Sequence, residues 1–440
     1  MADAQTPQNM SPKLQKVAEV ARREPNGRLF ALAHLMDEAE LVRAFRRVRN
    51  NAAVGVDGVT KEAYGQNLDA NIQDLLTRLK VKRYRHQPIR RVHIPKDKGR
   101  TRPIGVSSME DKVVQGAIRE VLQAIYEQDF LDCSYGFRPG RSAHDAIRAI
   151  HRAAYRGEVQ WVLEADVQSF FDSLSRVKLK EMLQIRIADG QMMRLIGKCL
   201  HVGILDGEEY SEPDEGTTQG SILSPLLGNV YLHYALDIWF EREIGPTLEG
   251  KAQLVRYADD FVMLFEKQRD AEVVQEALHQ RMAQYELTLH PDKTRLVRFE
   301  PPPPNQDGGR GPATFDFLGF TLFWRKPHKG KRWQLGCKTR GARQRRALMA
   351  VYEWCRRHRH LPIEEQHKAL SSKLRGHLNY FSVNGNSRCI SHLLYQAKRA
   401  WHKWLNRRSQ RSKWNWDSFA EYLQRYPLPQ PRITVQIWHT

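Results

Sequence analysis

The chain has 440 residues, 41% of them hydrophobic, and 70 Lys and Arg against 50 Asp and Glu give it a formal charge of +20. That is apolar material for about three domains, and the excess of cations favours nucleic acid over neutral or cationic partners. Five cysteines (Cys133, Cys199, Cys337, Cys355, Cys389) stand singly, and no apolar run approaches the roughly 20 residues that span a bilayer, which argues against a disulfide scaffold, a structural zinc site and a membrane partner.

The opening residues, Met1 to Met10, are polar and lack a charged n-region followed by an apolar stretch, so a cytoplasmic protein is expected. Residues 14–50 are predicted mostly helical and broken at Pro25-Asn26-Gly27, because Leu29, Leu32, Leu35, Leu41, Val42 and Phe45 recur at roughly helical spacing among arginines. After a turn at Gly55-Val56-Asp57-Gly58 come a helix around Leu68 to Leu79 and a short strand, Val92 to Pro95. Ser108 with Asp111 forms a capping box ahead of the stripe Val113, Val114, Ala117, Ile118, Val121, Leu122 and Ile125, and Ser142 with Asp145 repeats that start signal.

Trp161 to Asp166 is a strand by composition, and Leu254 to Phe265 two strands around a tight turn. The run Pro301 to Pro304 followed by Asn305-Gln306-Asp307-Gly308-Gly309 is expected to be an exposed loop. Beyond about residue 338 the pattern is helical only, with helices expected near 341–358, 362–382 and 387–407. The third carries Ile390, Leu393, Leu394, Ala397, Trp401, Trp404 and Leu405 on one stripe, and its other faces are basic. There is no internal repeat.

The acids carry the chemistry. Nucleotidyl transfer needs the attacking and leaving oxygens stabilised together, which two divalent ions about 3.5–4 Å apart can do when carboxylates hold them. Tyr257-Ala258-Asp259-Asp260 lies between the apolar runs Leu254-Val255-Arg256 and Phe261 to Phe265, and adjacent acids between buried strands are unfavourable unless cations neutralise them. Alone, this pair is as readily a solvent-facing turn as an active site. A second acid, Asp166, at the tip of the apolar run Trp161 to Ala165, decides for the site.

These motifs resemble, in order and spacing from about residue 40 to 430, those of the reverse transcriptase and maturase proteins of group II introns. Ile94-Pro95-Lys96 with Thr101 to Gly105, and Tyr135-Gly136-Phe137-Arg138-Pro139-Gly140-Arg141-Ser142, resemble the finger motifs. Glu164-Ala165-Asp166-Val167 resembles the first palm motif, Gly216 to Pro225 the template-and-nucleotide motif and Tyr257-Ala258-Asp259-Asp260 the catalytic hairpin, and Leu289 to Thr294 with Phe317-Leu318-Gly319-Phe320 completes the set. The resemblance implies an α+β right-hand polymerase: a basic N-terminal extension over 1–50, fingers over 51–160, a palm with an antiparallel sheet and catalytic hairpin over 161–325, and an all-helical thumb/maturase domain over 326–440.

It further implies that Asp166 and Asp259 ligate two Mg2+ ions, for which Mn2+ can substitute, with Asp260 supporting the site and the Val167 carbonyl as a further ligand. Lys96 and Arg102 would hold the triphosphate. Phe171 would crowd the sugar 2′ carbon and select deoxynucleotides, Gln219 and Gly220 would lie along nucleotide and template, and Lys293 would assist pyrophosphate departure. Arg375 to Phe381 and Trp401 to Arg408 resemble the thumb and maturase region. There Trp401, Trp404 and Leu405 are expected to face a bundle interior, and Lys398, Arg399, Lys403, Arg407, Arg408 and Arg411 to contact RNA.

The expected function is RNA-directed DNA polymerase with intron RNA binding and splicing assistance. Its expected partners are an RNA template, a DNA or RNA primer, deoxynucleoside triphosphates and a structured intron RNA. The alternatives are a related reverse transcriptase serving host defence or DNA repair, and a maturase acting mainly as an RNA-binding splicing factor. Many relatives continue into an endonuclease with clustered Cys and His; none is encoded before Thr440, so existing 3′ ends are expected to serve as primers. The oligomeric state is left open, a homodimer included.

Overall fold

In a computed structural model of the chain, the described residues are 10–95, 101–207, 209–211, 215–217, 219–302, 313–326, 333–409 and 414–438. The predicted loop at 301–309 falls largely outside them. Among the described residues, helices α1 (Pro12–Arg23), α2 (Glu38–Arg47), α3 (Lys61–Gln66), α4 (Leu68–Lys80), α5 (Met109–Tyr126), α6 (Ala143–Tyr155), α7 (Arg176–Arg186), α8 (Gly190–Leu200), α9 (Ser224–Leu232) and α10 (Gln268–Gln284) alternate with strands. Four more, α11 (Gly341–Arg357), α12 (Ile363–Phe381), α13 (Ser387–Leu405) and α14 (Trp416–Arg425), follow the last strand.

The strands are β1 (Ile89–Pro95), β2 (Thr101–Val106), β3 (Trp161–Asp166), β4 (Ile204–Asp206), β5 (Glu209–Ser211), β6 (Ala252–Tyr257), β7 (Asp260–Phe265), β8 (Arg295–Arg298), β9 (Phe315–Phe317), β10 (Phe320–Arg325) and β11 (Gln334–Thr339). They form three sheets in the orders β2-β1-β4-β5, β6-β7-β3-β8 and β11-β10-β9.

The capping signals act where the sequence places them. Ser108 Oγ accepts from Asp111 N to start α5, and Ser142 and Asp145 exchange bonds in a capping box that starts α6. The α5 stripe from Val113 to Ile125 is buried, with α1 and α2 packed along it.

One expectation fails. The stretch around Leu29, Leu32 and Leu35 is not α-helix but an extended segment followed by a 3₁₀ turn, Ala33–Leu35. Distant partners take its backbone instead: Leu29 N donates to Arg186 O and Ala188 N to Leu29 O, both at 2.8 Å. Asp189 Oδ2 then accepts from Leu32 N at 2.6 Å and Ala33 N at 2.8 Å. Leucine periodicity reports burial, and here burial comes without helix.

The central antiparallel sheet is buried on both faces, which explains its nearly unbroken apolar strands. Leu163, Ala165, Leu254, Phe261, Met263 and Phe265 enter one core, with α5, α9 and α10. The alternate residues Val162, Val255, Val262 and Leu264 enter a second core, with α6 and the β9 to β11 sheet. Strand alternation therefore joins two cores across one sheet.

The last four helices enclose a third core around Trp401, whose Nε1 donates to Gln366 Oε1 at 3.0 Å. The expected stripe from Ile390 to Leu405 is buried. No helix among the described residues is long and apolar enough to cross a membrane.

Candidate active site

β7 is the hinge of the site, because it pairs with both neighbours at their acidic ends. Tyr257 pairs with Asp260 across the β6–β7 hairpin, and Asp166 pairs with Asp260 across β3 and β7. Asp259 sits in the turn between. The turn residue Ala258 is left-handed, with φ of 56°, a conformation that a non-glycine residue keeps only where surrounding structure imposes it.

Two contacts impose it. Arg256 Nη1 donates to Ala258 O at 3.1 Å, and Gly136 lies so close that a Cβ there would come within 2.3 Å of Ala258 N. The Arg256 side chain is fully buried, and its fork is saturated by Asp237 (Nε to Oδ1, 2.7 Å; Nη2 to Oδ2, 2.5 Å), Asn229 Oδ1 at 2.9 Å and Ser134 Oγ at 2.8 Å. Burial works against the charge on Arg256, but Asp237 outweighs it and the guanidinium pKa is raised. Sequence reasoning missed this network. The one available signal was a cation in the apolar run Leu254-Val255-Arg256, which requires a buried partner; nothing local names Asp237, which ends the first of two π turns, His233–Asp237 and Trp239–Ile244, that extend α9.

The acids repel one another. Burial, then Asp166, raises the pKa of Asp259. Asp260 is open on the cleft side, yet the protein around it, with Asp259 and Asp166, pushes its pKa up to about 6. The ammonium of Lys293 forms an ion pair with the Asp166 carboxylate. Among the described residues no three His, Cys, Asp or Glu side chains already converge on one point as a metal cage. The donor set is nonetheless that of a hard divalent cation: crowded carboxylates short of positive charge.

The backbone of Val167 borders these acids. His290 N to Asp166 O and Gln168 N to Thr288 O, both 2.8 Å, form the ladder on one side of β3. The Val167 carbonyl is left to the other side, where the hairpin lies.

An acid whose folded pKa is raised destabilises the fold once charged, above that pKa. The Asp260→Asn protein, in chelator at pH 7, is therefore expected to unfold about 2 °C higher than the native chain, a small gain because solvent screens this residue. The gain should shrink as the pH falls below about 6, where Asp260 is protonated in the folded chain. Added magnesium should raise the midpoint of the native chain more than that of the variant in thermal unfolding; equal shifts would remove Asp260 from the ion site.

Of the expected nucleotide-binding residues, Arg102 and Lys293 lie near enough to Asp259 to act on it, and Gln219, Gly220 and Phe171 are joined to them through short contacts. Arg102 Nε donates to Gln219 Oε1 at 2.8 Å, Gln219 Nε2 to Asp172 Oδ2 at 3.4 Å, and Gly105 N to Gln219 O at 2.6 Å. Gly220 has a φ of 108° and lies where a Cβ would meet Gly105 O at 2.4 Å, so no other residue fits. Thr217 N donates to Phe171 O at 2.6 Å, tying the Gly216 loop to the turn after Asp166, and the half-buried Phe171 ring packs edge-on to Phe170 at 5.2 Å. Arg102 and Lys293 are close enough to Asp259 to oppose the rise in its pKa. Lys96 lies outside the described residues.

The expected RNA-contact residues lie on and just beyond α13, in the helical bundle. Arg399 and Arg407 are exposed, over the rings of Tyr395 and Trp404, both at 5.6 Å, and Lys398 is half-buried. Lys403 donates to Tyr352 Oη at 2.8 Å and Arg408 to Leu361 O at 3.2 Å, so each has a donor engaged within the bundle. Arg411 lies outside the described residues.

Residues 94–322 match the family model described as reverse transcriptase (RNA-dependent DNA polymerase). The chain is 31% identical over 352 residues to protein YkfC of Escherichia coli K12, covering 72% of this chain and 89% of that protein. It is 37% identical over 191 residues to the group II intron-encoded protein LtrA of Lactococcus lactis subsp. cremoris, covering 43% of this chain and 32% of LtrA. Over 106 residues it is 32% identical to nuclear intron maturase 1, mitochondrial, of Arabidopsis thaliana, covering 23% of this chain and 15% of that protein. The chain thus spans most of one of these relatives and about a third or less of the two named for introns. With the acids paired at one end of a central antiparallel sheet and the family model matching over half of its length, the chain belongs to the reverse transcriptases, the RNA-dependent DNA polymerases, alongside the group II intron reverse transcriptase/maturases.

Proposed function

We propose that the chain extends a primer 3′ end with deoxynucleotides on an RNA template, using two magnesium ions held by Asp166, Asp259, Asp260 and the Val167 carbonyl. The observation that carries this reading is the cross-strand pairing of Asp166 with Asp260, with Asp259 in the adjoining turn. Ions bound there supply charge stabilisation to the attacking and departing oxygens. Arg102 and Lys96 orient the triphosphate, with Arg102 itself steadied by Gln219. Lys293, whose ammonium lies against the Asp166 carboxylate, would donate a proton or charge to the departing pyrophosphate.

Primer extension on an RNA template, with and without magnesium, tests the reading. Extension with deoxynucleotides that stops in chelator supports it; extension unaffected by chelator refutes it. In the same assay Phe171→Ala should raise ribonucleotide use relative to deoxynucleotide use by about 100-fold, since an emptied pocket no longer rejects a 2′ hydroxyl. An unchanged ratio would leave Phe171 as core packing only.

A division into fingers over 51–160, palm over 161–325 and thumb over 326–440 accords with this reading, except that the last region is not all helix: β11 (Gln334–Thr339) pairs with β10 before the helices begin. A splicing role draws its support from the intron-encoded and maturase relatives and from the exposed Arg399 and Arg407. Crosslinking of the chain to a group II intron RNA, with and without Arg399→Glu and Arg407→Glu, tests it: crosslinks that fade in the variant support RNA recognition by the bundle, and crosslinks of equal strength refute it.

A further inference from the structure

Phe137 stands out from everything around it. Its neighbours Gly136 and Arg138 are buried, yet the Phe137 side chain lies 54% exposed on a left-handed backbone, with φ of 57°. A bulky residue at positive φ stores strain, and an exposed ring recovers little of it through packing.

The segment that carries it is fixed from beneath. Asn229 Nδ2 donates to Gly136 O at 2.7 Å, Tyr135 N donates to Arg256 O at 2.8 Å, and Arg138 donates to Leu131 O at 2.7 Å and Ser134 O at 3.0 Å. The same Arg256 and Asn229 hold the catalytic hairpin, and Gly136 abuts Ala258 within it. Phe137 is thereby locked to the hairpin, and its ring centroid lies 6.2 Å from that of Tyr257, the residue that opens the catalytic turn. Two rings side by side thus flank the acids, the outer one open to solvent.

We propose that Phe137 is a stacking and packing platform for a nucleotide of the bound nucleic acid next to the catalytic hairpin, fixing the strand in register with Asp259. This rests on the polymerase reading given above. An aromatic face held rigid and already exposed gains contact area with a base or sugar at little ordering cost, and it does so without regard to sequence, as a copying enzyme requires. The neighbouring Tyr257 ring covers only part of it, and more than half of its surface stays open.

The test measures equilibrium affinity of the full chain for a primer–template duplex, beside thermal unfolding, for the native protein, F137A, F137G and F137W. F137A and F137G should lose about tenfold in affinity while unfolding no more easily than the native chain. F137G removes the strain at φ of 57°, so a merely structural role would make it neutral or better in both measurements. F137W should retain binding. A 2-aminopurine base placed either at the primer terminus or opposite it in the template reports which strand is touched: its fluorescence should be lower with the native chain than with F137A in one of the two placements.

Equal affinity in native and variant chains, or fluorescence unchanged in both placements, overturns the proposal. A native chain that binds the duplex but does not extend it defeats the polymerase reading instead, and the two failures are read from separate measurements.

Discussion

Asp259→Asn is expected to abolish primer extension, by at least about 1000-fold, while leaving the fold and duplex binding intact. The arithmetic follows from charge. Metal-assisted stabilisation of the developing oxyanions is worth several kcal/mol, and each 1.36 kcal/mol is tenfold in rate. The amide preserves the shape of the turn but removes the negative charge that attracts a divalent ion. Stability should hold or rise, because burial and Asp166 already disfavour the ionised Asp259. Single-turnover extension, alongside circular dichroism and duplex affinity, checks all three. Extension within tenfold of the native chain would remove Asp259 from the chemistry, and a collapse of the dichroism signal would show the residue to be structural.

Arg256→Leu should have the opposite profile, with a large loss of stability. The substitution strands the fully buried Asp237 carboxylate without its partner, and leaves Asn229 Oδ1, Ser134 Oγ and Ala258 O each short of a donor. Breaking a buried pair from one side costs about 3–5 kcal/mol. Denaturant unfolding should show that drop for Arg256→Leu alone. The double variant Arg256→Met, Asp237→Leu should recover much of it, since apolar replacement of both partners is often near neutral. The double variant should still extend primers poorly, because Ala258 keeps its left-handed turn only while held. Full activity in a stable double variant would show that the turn needs no clamp.

Much of this site was legible before any coordinates. An acid at the tip of an apolar strand announces itself because burial and charge conflict there; Asp259 and Asp260 carry that conflict, and Asp166 ends the neighbouring strand opposite Asp260. Capping at Ser108 and Ser142 was legible for the same reason: the chemistry is confined to four consecutive residues. What escaped was non-local. Arg256 advertised a partner without naming Asp237, and the Lys293 ion pair with Asp166 joins residues far apart in the chain. The leucines from 29 to 35 misled because Asp189 and the backbone beside it, far along the chain, capture the amides that a helix would have used. Phe137 lay inside a quoted motif, but only its exposure and backbone distinguish it from an ordinary core phenylalanine.

The strand order β6-β7-β3-β8 has a consequence for biosynthesis. β3 occupies an interior position, yet both of its partners are translated long after it. Until the ribosome has released residues up to Phe265, β3 has two open edges and Asp166 faces no other acid, and the second edge stays open until Arg298. The acids of the candidate site therefore come together only after more than half of the chain has been made, and until then the exposed apolar strand is a substrate for chaperones.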